Sequence, residues 1–431
     1  MQSWARSAGF AVLGALTHLR SGRVCMPMTL FEASGPLTSA VTWTPTRTAG
    51  LARLDAFLPW AGRTYTRDRN IDRGPDDRSN VSALSPWIRR RLVTEEEVIA
   101  AVLKRHSFAS AEKFIQEVYW RSYWKGWLEM RPGLLRRFDA DRRALAKTWA
   151  GDQRLKAAMD GRTGVACFDA WVEELRSLGW LHNHARMWFA SIWIFTLRLP
   201  WQLGADFFYK YLLDADPASN TLSWRWVAGL HTTGKHYLAR AANIRDNTLG
   251  RFDPSGALDE GAKPLTEDDP PPMPQALGEG DEVRERKTAV LITAEDLCAE
   301  TWVLKAEVTA CAALNAPEAA APETASAAFL CGALTDGLGR AIDHFSAPGE
   351  SLRLAEVAAW AKKSGAKELV TSYAPVGLTA WALDRLGPDL AAEGIRLVRL
   401  QRPFDRRVWP HARAGFFKLK EKIPQLLAGV P

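Results

Sequence analysis

The sequence predicts a two-part chain: an all-helical half, then a smaller α/β half built on a parallel sheet. Three observations predict it. Helix-period patterns run from about Thr48 to Asp253, and 13 of the 19 tryptophans lie between Trp60 and Trp226. From Asp253 to Glu285 the composition changes: Pro270, Pro271, Pro272 and Pro274 stand among many acids and few large apolar residues, as a solvated linker requires. Beyond it, short apolar runs at Ala289–Thr293, Ala328–Cys331, Glu368–Thr371 and Arg396–Leu400 read as buried strands. They alternate with helical patterns such as Leu354–Lys363 and Leu378–Leu390, which is the signature of a parallel sheet. The expected division is an N-terminal extension of unclear structure (1–47), a helical domain (48–255), an acidic Pro-rich linker (256–286) and an α/β domain (287–431).

Composition narrows the class. A chain of 431 residues can bury two or three sizeable cores. Its five cysteines form no zinc or iron–sulfur spacing and no disulfide framework, so the expected setting is a reducing cytoplasm, with no metal site. A formal net charge of +7 permits a polyanionic partner. Ala8–Leu19 is apolar but short for a membrane span. Arg6 gives a charged start, yet no small-residue cleavage site stands out, and Met26 or Met28 could equally begin the chain. Met187–Leu197, the longest later apolar run, is also too short to span a bilayer, so a soluble protein is expected.

Each element then has a local reason. A helix from Thr48 to Trp60 places Leu51, Leu54 and Leu58 on one face. Gly74-Pro75 and the surrounding Asp, Ser and Asn residues demand a loop. The basic run Arg89, Arg90, Arg91 reads as a solvated face, and Thr94 with Glu97 makes a capping box for the next helix. The pattern from Ala109 to Met130 is a long helix with Glu117, Trp120, Arg121 and Trp124 on one face. A tryptophan stripe is ordinary core; a Glu and an Arg interleaved in it are less so. Pro132 to Gly164 is basic and helical around Trp149. Another helix ends at Gly179, a natural left-handed terminus. The run from His182 to Leu199 is apolar enough to be buried, yet Asn183, Arg186 and Met187 share a face. A charged Arg186 there needs a partner, and the nearest candidates are Asp214 and Asp216. A purely structural ion pair explains that pattern as well as a ligand site does.

The wording decides between them. W-x-H-N-x-x-R-M followed by D-x-D-x-A-x-N-x-x-x-W-x-W occurs at Trp180, His182, Asn183, Arg186, Met187, Asp214, Asp216, Ala218, Asn220, Trp224 and Trp226. This resembles the flavin-binding core of the photolyase/cryptochrome family. The resemblance implies a helical domain holding FAD, with Arg186 paired to Asp214, Asp214–Ala215–Asp216 along the flavin and Asn220 at its reactive edge. Tyr65 fits a family tyrosine, the loop Val81, Ser82, Ala83, Leu84, Ser85 fits the phosphate-holding loop, and Phe114 fits an adenine-side contact. Val81 and Ala83 depart from the family's wording there, removing a hydroxyl and an Arg. Backbone N–H groups in such a loop can still cradle a diphosphate.

By the same resemblance Arg69 touches DNA. Glu117, Trp120, Arg121, Asn183, Met187 and Trp226 line the cavity that takes a damaged pyrimidine pair. Trp149, Trp201 and Trp224 match a tryptophan chain that carries electrons to the flavin. Asn183 and Met187 resemble the type that repairs cyclobutane dimers; the (6-4)-repair type has histidines at both places. The implied activity is light-driven electron-transfer repair of cyclobutane pyrimidine dimers in DNA, a carbon–carbon lyase reaction. The alternatives are a cryptochrome-like blue-light sensor acting through protein partners, and a flavoprotein without repair activity. The sensor is favoured by Ala239 and His236, which stand where the family has a DNA-contacting Arg and a Pro. The stretch from Gly365 to Leu400, with Val408 to Ile423, resembles more faintly the family's antenna domain. That domain normally comes first, here it would follow, and its second chromophore would be of unidentified type.

Overall fold

A computed structural model describes residues 41–268, 271–315 and 324–429; the expectations for Ala8–Leu19, for Met26 and Met28 and for most of the N-terminal extension lie outside them. The helical half starts with α1 (Arg47–Phe57), where Thr46 accepts a hydrogen bond from the Ala49 amide at 3.2 Å. A 3₁₀ turn, Leu58–Trp60, then leads to α2 (Arg63–Asp68) and α3 (Ser85–Arg89). The capping box opens α4 (Glu95–Arg105): the Glu97 amide donates to the Thr94 hydroxyl at 3.3 Å and the Thr94 amide to the Glu97 carboxylate at 2.8 Å. The 22-residue α5 (Phe108–Glu129) runs through the centre. After it come α6 (Pro132–Thr148), α7 (Gln153–Met159) and α8 (Ala166–Leu178). Gly179 ends α8 at φ +67, and a Cβ there would meet Leu213 at 2.8 Å, so glycine is required twice over. Helix α9 (Asn183–Ser191) passes into a π-helical turn, Ile192–Thr196; α10 (Trp201–Tyr211), α11 (Pro217–Ala228) and α12 (Ala241–Asn247) complete this half.

The sheet has five strands, all parallel, in the order β3-β2-β1-β4-β5. They are β1 (Lys287–Ile292), β2 (Glu307–Leu314), β3 (Gly349–Leu352), β4 (Glu368–Ser372) and β5 (Arg396–Leu400). Its helices are α13 (Ala325–Phe345), α14 (Val357–Lys363), α15 (Leu378–Ala392), α16 (Pro403–Val408), α17 (Phe416–Lys420) and α18 (Ile423–Leu427). One expected strand is corrected: Ala328–Cys331 lies inside α13. Leu330, Ala333, Leu334, Gly337 and Ala341 are buried at helical spacing, and a short apolar run does not by itself distinguish a buried helix from a strand. The neighbour of β1 is instead β2, whose Ala-Cys-Ala-Ala run lacks the β-branched residues that mark a strand.

A second correction concerns Arg89, Arg90 and Arg91, which are buried rather than solvated. Arg89 makes a bidentate pair with Glu295 at 2.8 and 2.9 Å. Arg90 donates to the Ala294 carbonyl at 3.4 Å. Arg91 reaches both Asp405 oxygens at 2.7 and 2.8 Å and Glu95 at 3.2 Å. Ala294 and Glu295 follow β1, and Asp405 lies in α16, so all of these partners but Glu95 come from the α/β half, far along the chain. Residues of both halves also share one hydrophobic core, from Leu54 and Trp87 to Val290, Ile292 and Phe404.

Between the halves, the described residues of 256–286 form no helix or strand but are tied down. The Gln275 amide donates to the Met130 carbonyl at 2.9 Å, and Arg131 donates to the Pro272 carbonyl at 3.0 Å. The Asp281 amide donates to the Arg399 carbonyl at 2.9 Å. Glu129 of α5 reaches the loop after β4, one of the two strands between which the order reverses: it accepts from the Tyr373 hydroxyl at 2.8 Å and from the Val376 amide. No helix among the described residues is long and apolar enough to cross a membrane.

The ion pairs between the halves make stability depend on acid. Burial works against the charged form of Glu295, but Arg89 and then Lys125 outweigh it and hold its pKa down at about 2, against an ordinary 4.5. Glu95 is likewise held at about 2, where Arg91 and then Arg121 overcome burial. Carboxyls depressed on folding contribute stability that is fully present above pH 4.5 and is lost as pH falls towards 2. Glu295→Gln is therefore expected to lower the melting temperature at pH 7, by a few kcal/mol in stability. Measured against pH, the gap to wild type should narrow between about pH 4.5 and pH 2; a gap constant over that range would show that Glu295 is not held ionised.

Candidate active site

A cavity of about 550 Å³ opens between α2, α3, α5, α9 and α11. One wall carries Tyr65 and Phe114, packed edge to face with ring centroids 5.2 Å apart. Beside them the loop Val81, Ser82, Ala83, Leu84, Ser85 lines the cavity. Arg53 fixes this loop, donating to the carbonyls of Ser82, Val81 and Arg78 at 2.7, 2.8 and 3.2 Å. Ala83 sits at φ +51, a left-handed conformation that costs a non-glycine residue about 1 kcal/mol. Such strain gathers where a surrounding structure over-determines a functional loop. The Trp180 indole donates to the Ser85 hydroxyl at 3.1 Å.

The facing wall carries Arg186, Asp214, Ala215, Asp216, Asn220 and Trp224. Arg186 and Asp214 form a bidentate pair at 3.0 and 2.9 Å, and the Arg186 Nε donates to the Leu181 carbonyl at 3.0 Å. The Asp214 side chain is 6% exposed and the Arg186 side chain 23%. Ala215 gives its carbonyl to Arg89 at 2.8 Å. Asp216 caps α11, accepting from the Ser219 amide at 2.8 Å. Its pKa is held well below the carboxylate range: burial opposes ionisation, and Lys125, then Arg89 and Arg121, outweigh it. The side-chain amide of Asn220 donates to the Ala205 carbonyl at 2.7 Å, which orients it. Trp224 is buried, and its indole N–H has no hydrogen-bond partner among the described residues.

Arg69, Glu117, Trp120, Arg121, Asn183, Met187 and Trp226 line the same cavity. Glu117 is open to the cavity yet ringed by protein, so desolvation raises its pKa, with Arg69 and Lys113 pulling it down less. Trp120 stacks on Phe416 of α17, centroids 3.7 Å apart, and Trp226 stacks on Tyr237 at 5.8 Å. The Arg121 guanidinium is already engaged, with Glu95 at 3.2 Å, Asp216 at 3.6 Å and the Arg89 carbonyl at 3.1 Å. Its charge therefore serves the protein interior first.

Trp149 and Trp201 are not brought to this cavity; both line a separate open groove of about 860 Å³. The two sites are joined through α10. Trp224 nests on Gly204, one turn along from Trp201, where a Cβ would come within 2.3 Å of the Trp224 ring. Sequence reasoning gave no role to His182, which is buried and organises the cavity edge. Its Nδ1 accepts from the His184 amide at 3.2 Å, so Nε2 carries the proton and donates to the Arg69 carbonyl at 3.0 Å. Burial first lowers its pKa, to about 4, which keeps it neutral. Phe417 of α17 was also missed. It lines the cavity from the far end of the chain, and the one available signal was the interleaving of Phe with Lys in Gly415–Lys422.

Four similarities to known proteins bear on this geometry. A family model described as the FAD binding domain of DNA photolyase matches residues 114–258. A deoxyribodipyrimidine photo-lyase of Vibrio cholerae is 26% identical over 248 residues, 53% of this chain and 52% of that protein. One from Agrobacterium fabrum is 34% identical over 196 residues, 43% of this chain and 39% of that protein. A cryptochrome DASH of Gloeobacter violaceus is 30% identical over 218 residues, 49% of this chain and 42% of that protein. The chain thus spans about half, or less, of the length of these relatives. The matched segment carries most of the cavity's walls, and over it this chain is similar to the FAD binding domain of DNA photolyase.

Proposed function

We propose that this protein binds FAD and repairs cyclobutane pyrimidine dimers in DNA under light. The observation that supports this best is that one cavity is lined by every residue expected at the flavin and at the lesion, Trp149 and Trp201 alone lying elsewhere. Its residues fit FAD. A hydroxyl-bearing loop with a left-handed residue lies on one wall, and a buried ion pair and an unpaired buried indole N–H on the other. Tyr65, Phe114, Ser82 and Ser85 would hold one end, and Arg186, Asp214 and Asn220 the other. When bound, FAD supplies the light-driven electron transfer.

The chain's own part is to admit and orient the lesion. Trp120 and Trp226 offer flat faces, each worth roughly 1–3 kcal/mol per stacked base. That offsets the few kcal/mol needed to flip nucleotides out of a duplex, least at damaged pairs. Glu117, with its raised pKa, keeps its proton to higher pH than a free carboxyl and can donate it in a hydrogen bond to a pyrimidine carbonyl. Asn183, exposed at the cavity, adds a side-chain amide. For the α/β half we propose a buttressing role rather than that of an antenna. Parallel sheets take ligands where the strand order reverses, and here Glu129 is bonded to the loop after β4, one of the two strands at that point. A cytoplasmic setting accompanies this reading.

The blue-light-sensor reading is favoured by one observation: Ala239, in place of the DNA-contacting Arg, is buried with its amide bonded to Ser191 at 2.8 Å. Light-dependent repair of a dimer-containing oligonucleotide by purified protein decides between them; a yellow protein that leaves dimers intact would favour the sensor.

Two variants test the site. Arg186→Ala leaves the Asp214 carboxylate buried without its partner, a loss on the order of 3–5 kcal/mol for a fully buried pair and less here, where Arg186 is partly exposed. FAD content by chromatography and melting temperature should fall together; full FAD and an unchanged melting temperature would remove Arg186 from the cofactor site. Trp201→Phe should keep fold and FAD content but slow light-driven reduction of the bound cofactor several-fold or more. Photoreduction at the wild-type rate would return Trp149, Trp201 and Trp224 to packing.

A further inference from the structure

The cavity's mouth is completed by a residue from outside the matched segment. Phe417 lines the cavity and is nonetheless 74% exposed. It is not on a loose end. On either side of it in α17, Phe416 and Leu419 are buried, and Phe416 stacks on Trp120 at 3.7 Å. Lys420 reaches Glu112 at 3.6 Å, which ties the helix to the start of α5. The fold therefore fixes the Phe417 backbone at the cavity while leaving its ring in water. An exposed, positioned aromatic beside a concave site marks an interaction surface rather than packing. Its surroundings are basic: Arg413 and Lys418 are exposed on the same segment, Lys418 with only a surface pair to Glu421 at 3.2 Å, and Arg69 lines the cavity.

We propose that Phe417 is a wedge for duplex DNA. It enters the space vacated when the two joined pyrimidines turn into the cavity, and it stacks on the bases left behind. Arg413 and Lys418 lie along the adjoining phosphates. Apolar side chains inserted between base steps hold a duplex open in this way, and a ring one residue from the Trp120–Phe416 stack is placed at the point of entry. No bond is made or broken. This inference rests on the repair reading above and adds to it a contribution from the α/β half.

The test uses the full-length FAD-bound protein with Phe417→Ala and Phe417→Trp, read against two probes: a dimer in a duplex and the same dimer in a short single strand. FAD content and melting temperature should match wild type in both variants, because the ring is exposed. Phe417→Ala should bind the dimer-containing duplex about ten-fold more weakly, the size of one lost base stack, and Phe417→Trp should restore it. Repair of the single-stranded dimer should fall by clearly less than the affinity for the duplex. Unchanged duplex affinity in Phe417→Ala, or an equal loss on both probes, would overturn the wedge while leaving the repair reading intact. A wild-type protein that neither binds nor repairs either probe would overturn both.

Discussion

The buried ion network around Arg89 and Asp216 is the constraint on which the rest depends. Arg89 is fully buried and holds three things at once: the Ala215 carbonyl, the Glu295 carboxylate and, at 3.5 Å, Asp216. Asp216 is shared further with Arg121 at 3.6 Å and Lys125 at 3.8 Å. One side of the network is thus the cavity wall, and the other is the loop after β1. Such pairs contribute little net stability over apolar residues of the same shape, yet removing one member leaves a stranded charge. The network therefore fixes the relative placement of cavity wall and sheet more strictly than apolar packing would. It also explains why Glu295, in a half outside the family match, governs the geometry of Ala215.

The two ends of the cavity are held differently. At Asp214 the pair with Arg186 is partly open, and no charged group beyond Arg186 is within ion-pairing distance of Asp214 among the described residues. At Asp216 three cations converge on a buried carboxylate, and only Arg121 among them is partly exposed. The loop from Val81 to Ser85 is held by a third device, the Arg53 guanidinium gripping three carbonyls. The three devices differ in burial: the charges around Asp216 are the most enclosed, and Arg186 keeps 23% of its side chain exposed.

What was legible in the sequence follows from how each feature is encoded. The cavity walls were legible because they lie in short, fixed spacings: Asn183, Arg186 and Met187 on one helical turn, Asp214 to Asn220 around one helix cap. The capping box at Thr94 and the glycine at 179 were legible for the same reason, since their physics is local. Arg89 to Arg91 were misread because nothing within ten residues of Arg89 reports Glu295, 206 positions away. A basic run looks solvated until its counter-charges arrive from another part of the fold. The Ala328–Cys331 run was misread because apolar residues in a buried helix and in a buried strand satisfy the same local rule. Phe417 escaped because its significance lies in what α17 docks against, which the local alternation of Phe and Lys does not report.

The network also has a weak member, and its identity matters for the cavity. Lys125 is buried, and among the described residues its ammonium makes no hydrogen bond, only long pairs to Asp216 and Glu295 at 3.8 and 3.7 Å. Burial first, then Arg121, lowers its pKa to about 8, against the help of the two carboxylates. Among the cations, Lys125 is also the largest influence keeping Asp216 ionised. In sign, a lysine depressed on folding costs stability below its folded pKa, and that cost fades as pH rises from about 8 towards 10.5. The same rise removes a positive charge beside Asp216, so the floor of the cavity becomes more negative just as the protein loses that penalty. Arg89 and Arg121 cannot follow, because a guanidinium does not release its proton in this range. Of the three cations around Asp216, Lys125 is thus the one whose burial favours loss of its proton, and it sits on the same helix as Glu117 and Trp120.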